Sequence, residues 1–335
     1  MNATPSARPR VGFLGVGWIG RSRMEAIVAT GDVETVALVE PQDALAEAAL
    51  ALAPGAQRVD SLDDLLALDL DGVVIATPSA AHAAQSIQAL EAGAAVFCQK
   101  PLGRTGAEVR AVVEAARRAD RLLAVDLSYR FTEAAQRLRA LVREGALGSV
   151  HAIDLTFHNA YGPDKPWFYD RALSGGGCVM DLGVHLVDLA LWMLDGPSVT
   201  GVSSNLFAKG RPLPRNSVET EDFAVATLTL DTGAVMRLAC SWNLPAGQEA
   251  VISAAVYGSA GGGALRNVNG SFYDFTAERY AGTTTETLSM PPDAWSGRAA
   301  VDWARRLKAN RRFDPDVQSL VVVADALDRI YDPAS

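Results

Sequence analysis

Lys100 stands just past the carboxyl end of an apolar run, Ala94 to Cys98, between Gln99 and Pro101. An ammonium brings three donors and no acceptor. At that place it is either a surface cation snorkelling off the strand or a group aimed at a reacting oxygen. A second constellation lies in GGGCVMDLGVHLVDLALWML, where Asp181 and His185 are one helical turn apart and so share a face. An imidazole titrates near neutral pH and can take and return a proton. Asp188 and Trp192 continue that face, and Val179, Leu182, Leu186, Leu189 and Met193 form the apolar stripe behind it. A histidine on so apolar a helix is, by itself, more often a satisfied core residue than a catalyst. Three features favour chemistry here. An acid sits one turn upstream, a glycine triplet at 175–177 lets a ligand or backbone approach the helix start, and Lys100 ends a sheet strand where doubly wound folds bind ligands. The stretch ATPSAAH ends the preceding strand in the same way and puts Thr77, Pro78 and His82 on that rim.

The segment VGFLGVGWIGRS places Gly15-x-Gly17-x-x-Gly20, with Trp18 and Ile19 between, where a first strand meets a first helix. The first glycine allows the tight turn, the second lets backbone approach a pyrophosphate, and the third lets helix and strand pack. The helix start adds free N–H groups and a positive dipole end. Twenty residues after Gly20, Glu40 closes VALVE, the place from which a carboxylate reaches an adenosine ribose diol. A 2′-phosphate would meet that charge, and Pro41-Gln42-Asp43 offers no cation, so NAD is expected in preference to NADP. Arg21 and Arg23 on the first helix could still help a phosphate.

These groups need a scaffold. From Val11 to about Leu127, short β-branched runs alternate with alanine-rich helical stretches near 20–30, 43–52, 61–68, 79–92 and 105–119, with capping boxes at Ser61/Asp64 and Thr105/Glu108. That alternation predicts βαβ units, a parallel sheet and a doubly wound Rossmann domain over 11–128, preceded by a disordered tail at 1–10. The second part, 129–335, reads as an α+β domain for substrate binding and oligomerisation. It has a helix near 132–144, a strand at 150–157, a helix from Cys178 to Leu194, then a large, mostly antiparallel open sheet with turns at 231–233 and 258–263. The last helix, near 315–331, could pack back on the first domain. The chain has 335 residues, 49% apolar and 21% charged, with net charge −9, which argues against disorder and against nucleic acid or anionic membrane as partners. Three cysteines without a CxxC pair suit reduced thiols in the cytoplasm, and no run approaches the ~20 apolar residues of a membrane span. The start has no apolar core of a secretory signal.

In this arrangement the chain resembles the Gfo/Idh/MocA oxidoreductases over nearly its whole length. The resemblance rests on the glycine loop, Glu40, ATPSAAH, the Gln99-Lys100-Pro101 turn, YRF at 129–131 and GGGCVMDLGVH, in that order. It implies that Lys100, Asp181 and His185 face the nicotinamide and a substrate carbinol, and that the Lys–Pro bond is cis. His185 would take the hydroxyl proton and Lys100 would stabilise the developing alkoxide, with the reverse assignment open. Asp181 would orient either the substrate or the histidine. The family motif usually reads Glu-Lys-Pro. Gln99 departs from it, since an amide still hydrogen-bonds but no longer steadies an ammonium by charge. With every other landmark present, the change reads as tuning.

The loop AYGPDKPWFYDRAL holds Tyr161, Lys165, Trp167, Tyr169, Asp170 and Arg171. Aromatics beside charged groups suit a sugar or cyclitol, and equally suit an anchor between subunits. His151 and His158 show no metal-ligand spacing, and no metal is expected. Asp222 and the VETED run, 218–222, read as a solvated strand edge. The expectation is therefore an NAD(P)-dependent dehydrogenase or reductase of a polyhydroxylated small molecule, working as a homodimer or homotetramer through its second-domain sheet. Two alternatives share the fold: NAD-assisted glycoside cleavage, and a dinucleotide sensor without catalysis.

Overall fold

The computed structural model describes residues 8–214 and 217–332. Most of the tail expected at 1–10 lies outside the described residues, while Arg10 already belongs to the first strand. The chain divides into two compact units. The first, 1–103, 107–126 and 297–317, is built on a parallel sheet. Its strands are β1 (Arg10–Leu14), β2 (Glu34–Val39), β3 (Gln57–Arg58), β4 (Gly72–Ile75), β5 (Ala95–Cys98) and β6 (Leu123–Val125), in the order β3-β2-β1-β4-β5-β6. All its pairings are parallel. That order reverses beside β1, which is where a doubly wound sheet opens its ligand crevice. Every residue of β4 and β5 is buried, as a sheet covered on both faces requires. One covering element has no counterpart among the expected helices. Helix Arg298–Ala309 returns from far along the chain and inserts Trp303, fully buried, against Phe97 at 5.8 Å between ring centroids. Gly72 leaves room for that indole, because a Cβ there would lie 2.8 Å from it.

The second unit, 104–106, 127–296 and 318–335, carries nine strands. These are β7 (Val150–Asn159), β8 (Val199–Ala208), β9 (Arg211–Pro212), β10 (Phe223–Leu230), β11 (Val235–Ser241), β12 (Ala250–Gly258), β13 (Gly262–Asn267), β14 (Phe275–Ala281) and β15 (Thr284–Ser289). They run in the order β15-β14-β13-β12-β7-β11-β10-β8-β9, antiparallel throughout except for β7 beside β11. Period-two alternation decides the faces. Along β10, Ala224, Ala226, Leu228 and Leu230 are buried, whereas Phe223, Val225, Thr227 and Thr229 are not. The buried face joins helices Glu133–Arg143, Val184–Met193 and Gln318–Tyr331 in one core. The last helix thus belongs to the second unit.

Two expected elements differ. The helix read as continuous from Cys178 begins as a π-helical segment, Val179–Gly183, and becomes α-helical at Val184–Met193. The segment read as a turn to Gly263 contains the start of β13, a glycine-rich strand on which a β-propensity reading finds little to grip. Residues 171–193 together are long and apolar enough to cross a membrane, contrary to the sequence reading, but 89% of the apolar window is buried inside the fold.

Candidate active site

In the first unit the glycine loop is tied down before any ligand arrives. Gly15 adopts φ +84°, and a Cβ there would meet Ala76 O at 2.7 Å. A Cβ on Gly20 would lie 2.3 Å from Gly15 O, so the loop and its helix close on each other. A Cβ on Gly17, by contrast, would meet nothing within 4 Å. Gly17 also starts helix Trp18–Ala29, and no side chain caps it. Open space over Gly17, with uncapped N–H groups at a helix start, is the cradle a dinucleotide pyrophosphate requires, and these residues fit one. Trp18 is largely exposed at this turn, and Ile19 is half-buried.

Glu40 is 6% exposed and fixes the loop from below. Its Oε2 accepts the Val16 N–H at 3.0 Å and its Oε1 the Gln42 N–H at 3.1 Å. Each oxygen keeps a lone pair for a ribose hydroxyl. The sequence reading missed one cation here. Arg58 on β3 reaches back to donate to Pro41 O at 3.1 Å and to pair with Asp43 at 2.7 Å. Arg23, by contrast, is not available to a phosphate. It is buried, and its Nε donates to Asp126 Oδ2 at 2.5 Å.

His82 also differs from its expected place on the rim. It is 1% exposed, with Nδ1 2.7 Å from Pro101 O and Nε2 2.7 Å from Thr77 O. Burial lowers its pKa against the pull of those carbonyls, and a neutral ring donates to one of the two. It therefore lies enclosed between the Thr77-Pro78 turn and the Lys100-Pro101 turn, hydrogen-bonded to one of them, rather than open on the rim. Thr77 Oγ1 donates to Gln85 Oε1 at 2.6 Å. The Lys100–Pro101 peptide is cis. Gln99 is buried, and its Nε2 donates to Asp126 Oδ2 at 2.7 Å.

In the second unit Asp181 stands in the π-helical segment and His185 in the first α-turn after it. Such π-turns are rare and concentrate at functional sites. Trp242, at the end of β11, donates its indole N–H to Asp181 Oδ2 at 3.1 Å. Tyr129 lies against the His185 ring at 4.8 Å between centroids, and burial beside Asp181 raises the pKa of its phenol. Neither Trp242 nor Tyr129 was singled out for these contacts, because both come from far along the chain and only their aromatic character was visible. Asp188 leaves the expected face for a structural task. It is buried and takes a two-pronged ion pair from Arg130, one prong at 2.8 Å.

The glycine triplet is shaped by this chain rather than by an approaching ligand. A Cβ on Gly176 would lie 1.9 Å from the Tyr331 hydroxyl, and one on Gly177 1.9 Å from Glu221 O. Within VETED, Val218 and Glu219 are exposed as a solvated edge should be, but Glu221 departs from that reading. It is 1% exposed and accepts the N–H groups of Gly177 at 3.0 Å and Val179 at 2.9 Å, plus the Tyr331 hydroxyl at 2.8 Å. A carboxylate thus caps the helix that carries Asp181 and His185.

Of the loop residues, Tyr169 comes nearest to the Asp181 cluster. Its ring stands 5.6 Å from Trp242, and its hydroxyl donates to Pro163 O at 3.0 Å. Trp167 stacks on Phe168 at 3.8 Å, and Phe168 in turn meets Trp242 edge-on. Asp170 is used as a helix cap, accepting Ala172 N–H at 2.9 Å. Lys165 pairs with Asp164 on the surface, and the exposed Tyr161 reaches Glu249 at 3.4 Å. Among the described residues no cluster of histidine, cysteine or acid side chains could hold a metal.

Comparison with known proteins agrees with this geometry. Residues 9–127 match the NAD-binding Rossmann-fold domain model of an oxidoreductase family, and residues 135–278 match its GFO/IDH/MocA C-terminal domain model. D-glucoside 3-dehydrogenase of Escherichia coli is 28% identical, over 97% of this chain and 92% of that protein. Levoglucosan dehydrogenase of Pseudarthrobacter phenanthrenivorans is 27% identical, over 75% of this chain and 72% of that one. Among solved structures, GenD2 from gentamicin A biosynthesis in complex with NAD superposes with a TM-score of 0.81 at 25% identity, covering 100% of this chain and 96% of that one. With both domain models matched in order, on a sheet of Rossmann topology and a nine-stranded second sheet, the chain belongs to the Gfo/Idh/MocA family of oxidoreductases.

Proposed function

We propose that the protein is an NAD-dependent dehydrogenase or ketoreductase acting on a secondary carbinol of a sugar, cyclitol or sugar derivative. The observation that carries the cofactor reading is the open cradle over Gly17, locked from below by Glu40. A bound nicotinamide would supply the two-electron redox change. The chain's own groups supply orientation and proton handling. His185, steadied by Tyr129, takes the proton of the substrate hydroxyl. Asp181, fixed by Trp242, accepts a hydrogen bond from the substrate. Lys100 donates a hydrogen bond to the reacting oxygen and stabilises its negative charge. Tyr169 and Trp167 offer aromatic faces for a sugar ring.

NAD is the preferred dinucleotide in this reading, because a 2′-phosphate would face Glu40 while the nearby Arg58 is already held by Asp43 and the Pro41 carbonyl. We place the enzyme in the cytoplasm on its three free, buried thiols. We assign a homodimer or homotetramer to the sheet face that carries Phe223, Val225, Thr227 and Thr229, which light scattering of the purified protein would check. The relatives named above are dehydrogenases or biosynthetic enzymes, which gives glycoside cleavage no support.

The deciding experiment follows nicotinamide absorbance with NAD⁺ or NADP⁺ across a panel of aldoses, glycosides, anhydrosugars and cyclitols. Lys100→Met serves as control. Turnover that the variant loses is the expected result. A wild-type protein that binds NADH but turns over neither the panel nor the matching ketones would sink the assignment.

A further inference from the structure

Behind the lysine-bearing turn lies a buried polar triad that the reaction described above does not use. Gln99 follows β5 and Asp126 follows β6, and these strands are neighbours with Cys98 opposite Val125. The Asp126 N–H donates to Cys98 O at 2.9 Å, which sets the two residues side by side at the carboxyl edge of the sheet. Gln99 Nε2 donates to Asp126 Oδ2 at 2.7 Å, and Arg23 Nε donates to the same oxygen at 2.5 Å. Gln99 is 7% exposed, Asp126 2% and Arg23 5%, so the three form a dry cluster with one carboxylate and one guanidinium.

An amide can turn either end toward a hydroxyl, but only its nitrogen toward a carboxylate, which accepts and does not donate. Asp126 therefore decides which way round Gln99 sits. Nε2 faces the carboxylate, and Oε1 is turned away from it. A glutamate at position 99 would bring two carboxylates to ~3 Å, a distance at which both do not stay ionised. The neutral residue before Lys100 and the acid on the next strand are thus a matched pair. In this chain the neutral amide stands beside a carboxylate on the next strand, and Arg23 meets that carboxylate's charge.

We propose that Asp126, held by Arg23, is a positioning residue that fixes the Gln99 amide so that its carbonyl oxygen accepts a hydrogen bond from the bound dinucleotide. This rests on the dinucleotide reading given above. Charge is conserved by an exchange of the two groups: Gln99→Glu with Asp126→Asn keeps one amide, one carboxylate and one guanidinium in the same cluster.

The test measures NADH affinity by fluorescence titration, and thermal unfolding, for the wild type, Gln99→Glu, Asp126→Asn and the double exchange. Each single variant should weaken NADH binding about tenfold, and the exchange should return it to within about threefold of wild type, the size of coupling expected of groups in direct contact. Losses that simply multiply in the double variant would overturn the proposal, as would wild-type affinity in Gln99→Glu. If a single variant does not fold while the double does, that recovery is itself the predicted coupling. Gln99→Met removes the amide without adding charge. It should lose NADH affinity with little change in thermal midpoint, and unchanged affinity would again refute the role. A folded wild-type protein that binds neither NADH nor NADPH would overturn the cofactor reading and this proposal together, whereas NADH binding with uncoupled variants overturns this proposal alone.

Discussion

Removing the buried carboxylate of Glu221 tests whether the catalytic helix is held in place by its cap. Glu221→Ala strands the N–H groups of Gly177 and Val179, both buried, and takes the acceptor from the Tyr331 hydroxyl. Each buried donor left unpaired costs about 1–3 kcal/mol, so the two N–H groups together cost about 2–6 kcal/mol. Loss of the side-chain methylenes adds to this, and relief from burying an acid subtracts, which leaves roughly 3 kcal/mol. For a unit of this size, 1 kcal/mol moves the midpoint by about 2–4 °C, so the expected drop is about 6–12 °C. Scanning calorimetry reads the midpoint, and hydrogen exchange over 176–183 reads the local opening that should accompany it. A midpoint within about 2 °C of wild type, with exchange unchanged, would refute the capping argument.

The isosteric Glu221→Gln adds a pH arm. Burial raises the Glu221 pKa above its ordinary 4.5 despite the donors around it. The folded protein then holds a proton that the unfolded chain releases. Stability from this group is full below the unfolded value and falls as pH rises through the folded one. Relative to Glu221→Gln, wild type should therefore lose midpoint as pH rises above 4.5, and a gain over that range would mean that the N–H donors outweigh burial.

Other outcomes follow from the same geometry. His185→Ala should lower turnover by about 10²–10⁴ while NADH affinity, measured by fluorescence, stays near wild type; a loss under about threefold removes His185 from the proton-transfer role. Gly17→Leu should abolish NADH binding at an unchanged thermal midpoint, since a Cβ there meets nothing within 4 Å, whereas Gly177→Ala should destabilise because its Cβ would lie 1.9 Å from Glu221 O. Asp188→Ala leaves the Arg130 guanidinium without its carboxylate, and chemical denaturation should show a loss of about 3–5 kcal/mol. Arg58→Ala should weaken NADPH binding more than NADH binding if this cation helps a 2′-phosphate at all; equal effects would leave Glu40 as the discriminating group.

Local pattern carried much of this protein. The strand-turn-helix around Gly15-x-Gly17-x-x-Gly20, the acid closing β2, the proline-locked turn after β5 and the Asp181/His185 spacing are all short-range features, and steric and hydrogen-bonding rules act on them within a few residues. The alternation of apolar runs with helical stretches was likewise enough to give a parallel sheet. What escaped notice has a common cause. Helix Arg298–Ala309 joins the first unit although it follows the second unit's strands in sequence, and β13 opens on Gly262-Gly263-Ala264, so neither has a local signature of its partner.

The side chains that were misread are those whose meaning depends on a distant neighbour. His82 looked like a rim residue until two backbone carbonyls closed around its buried ring, Arg23 like a phosphate ligand until Asp126 took it, and the acid in VETED like a solvated charge until three donors converged on it. The sequence by itself determined which residue types stand at the carboxyl ends of strands and on one helix face, because strand and helix periodicities fix that locally. Only the tertiary structure decided which of those polar groups remain open to a ligand and which are consumed inside the fold. A buried donor or acceptor must be paired wherever its partner lies along the chain, and that partner is chosen by packing, not by spacing.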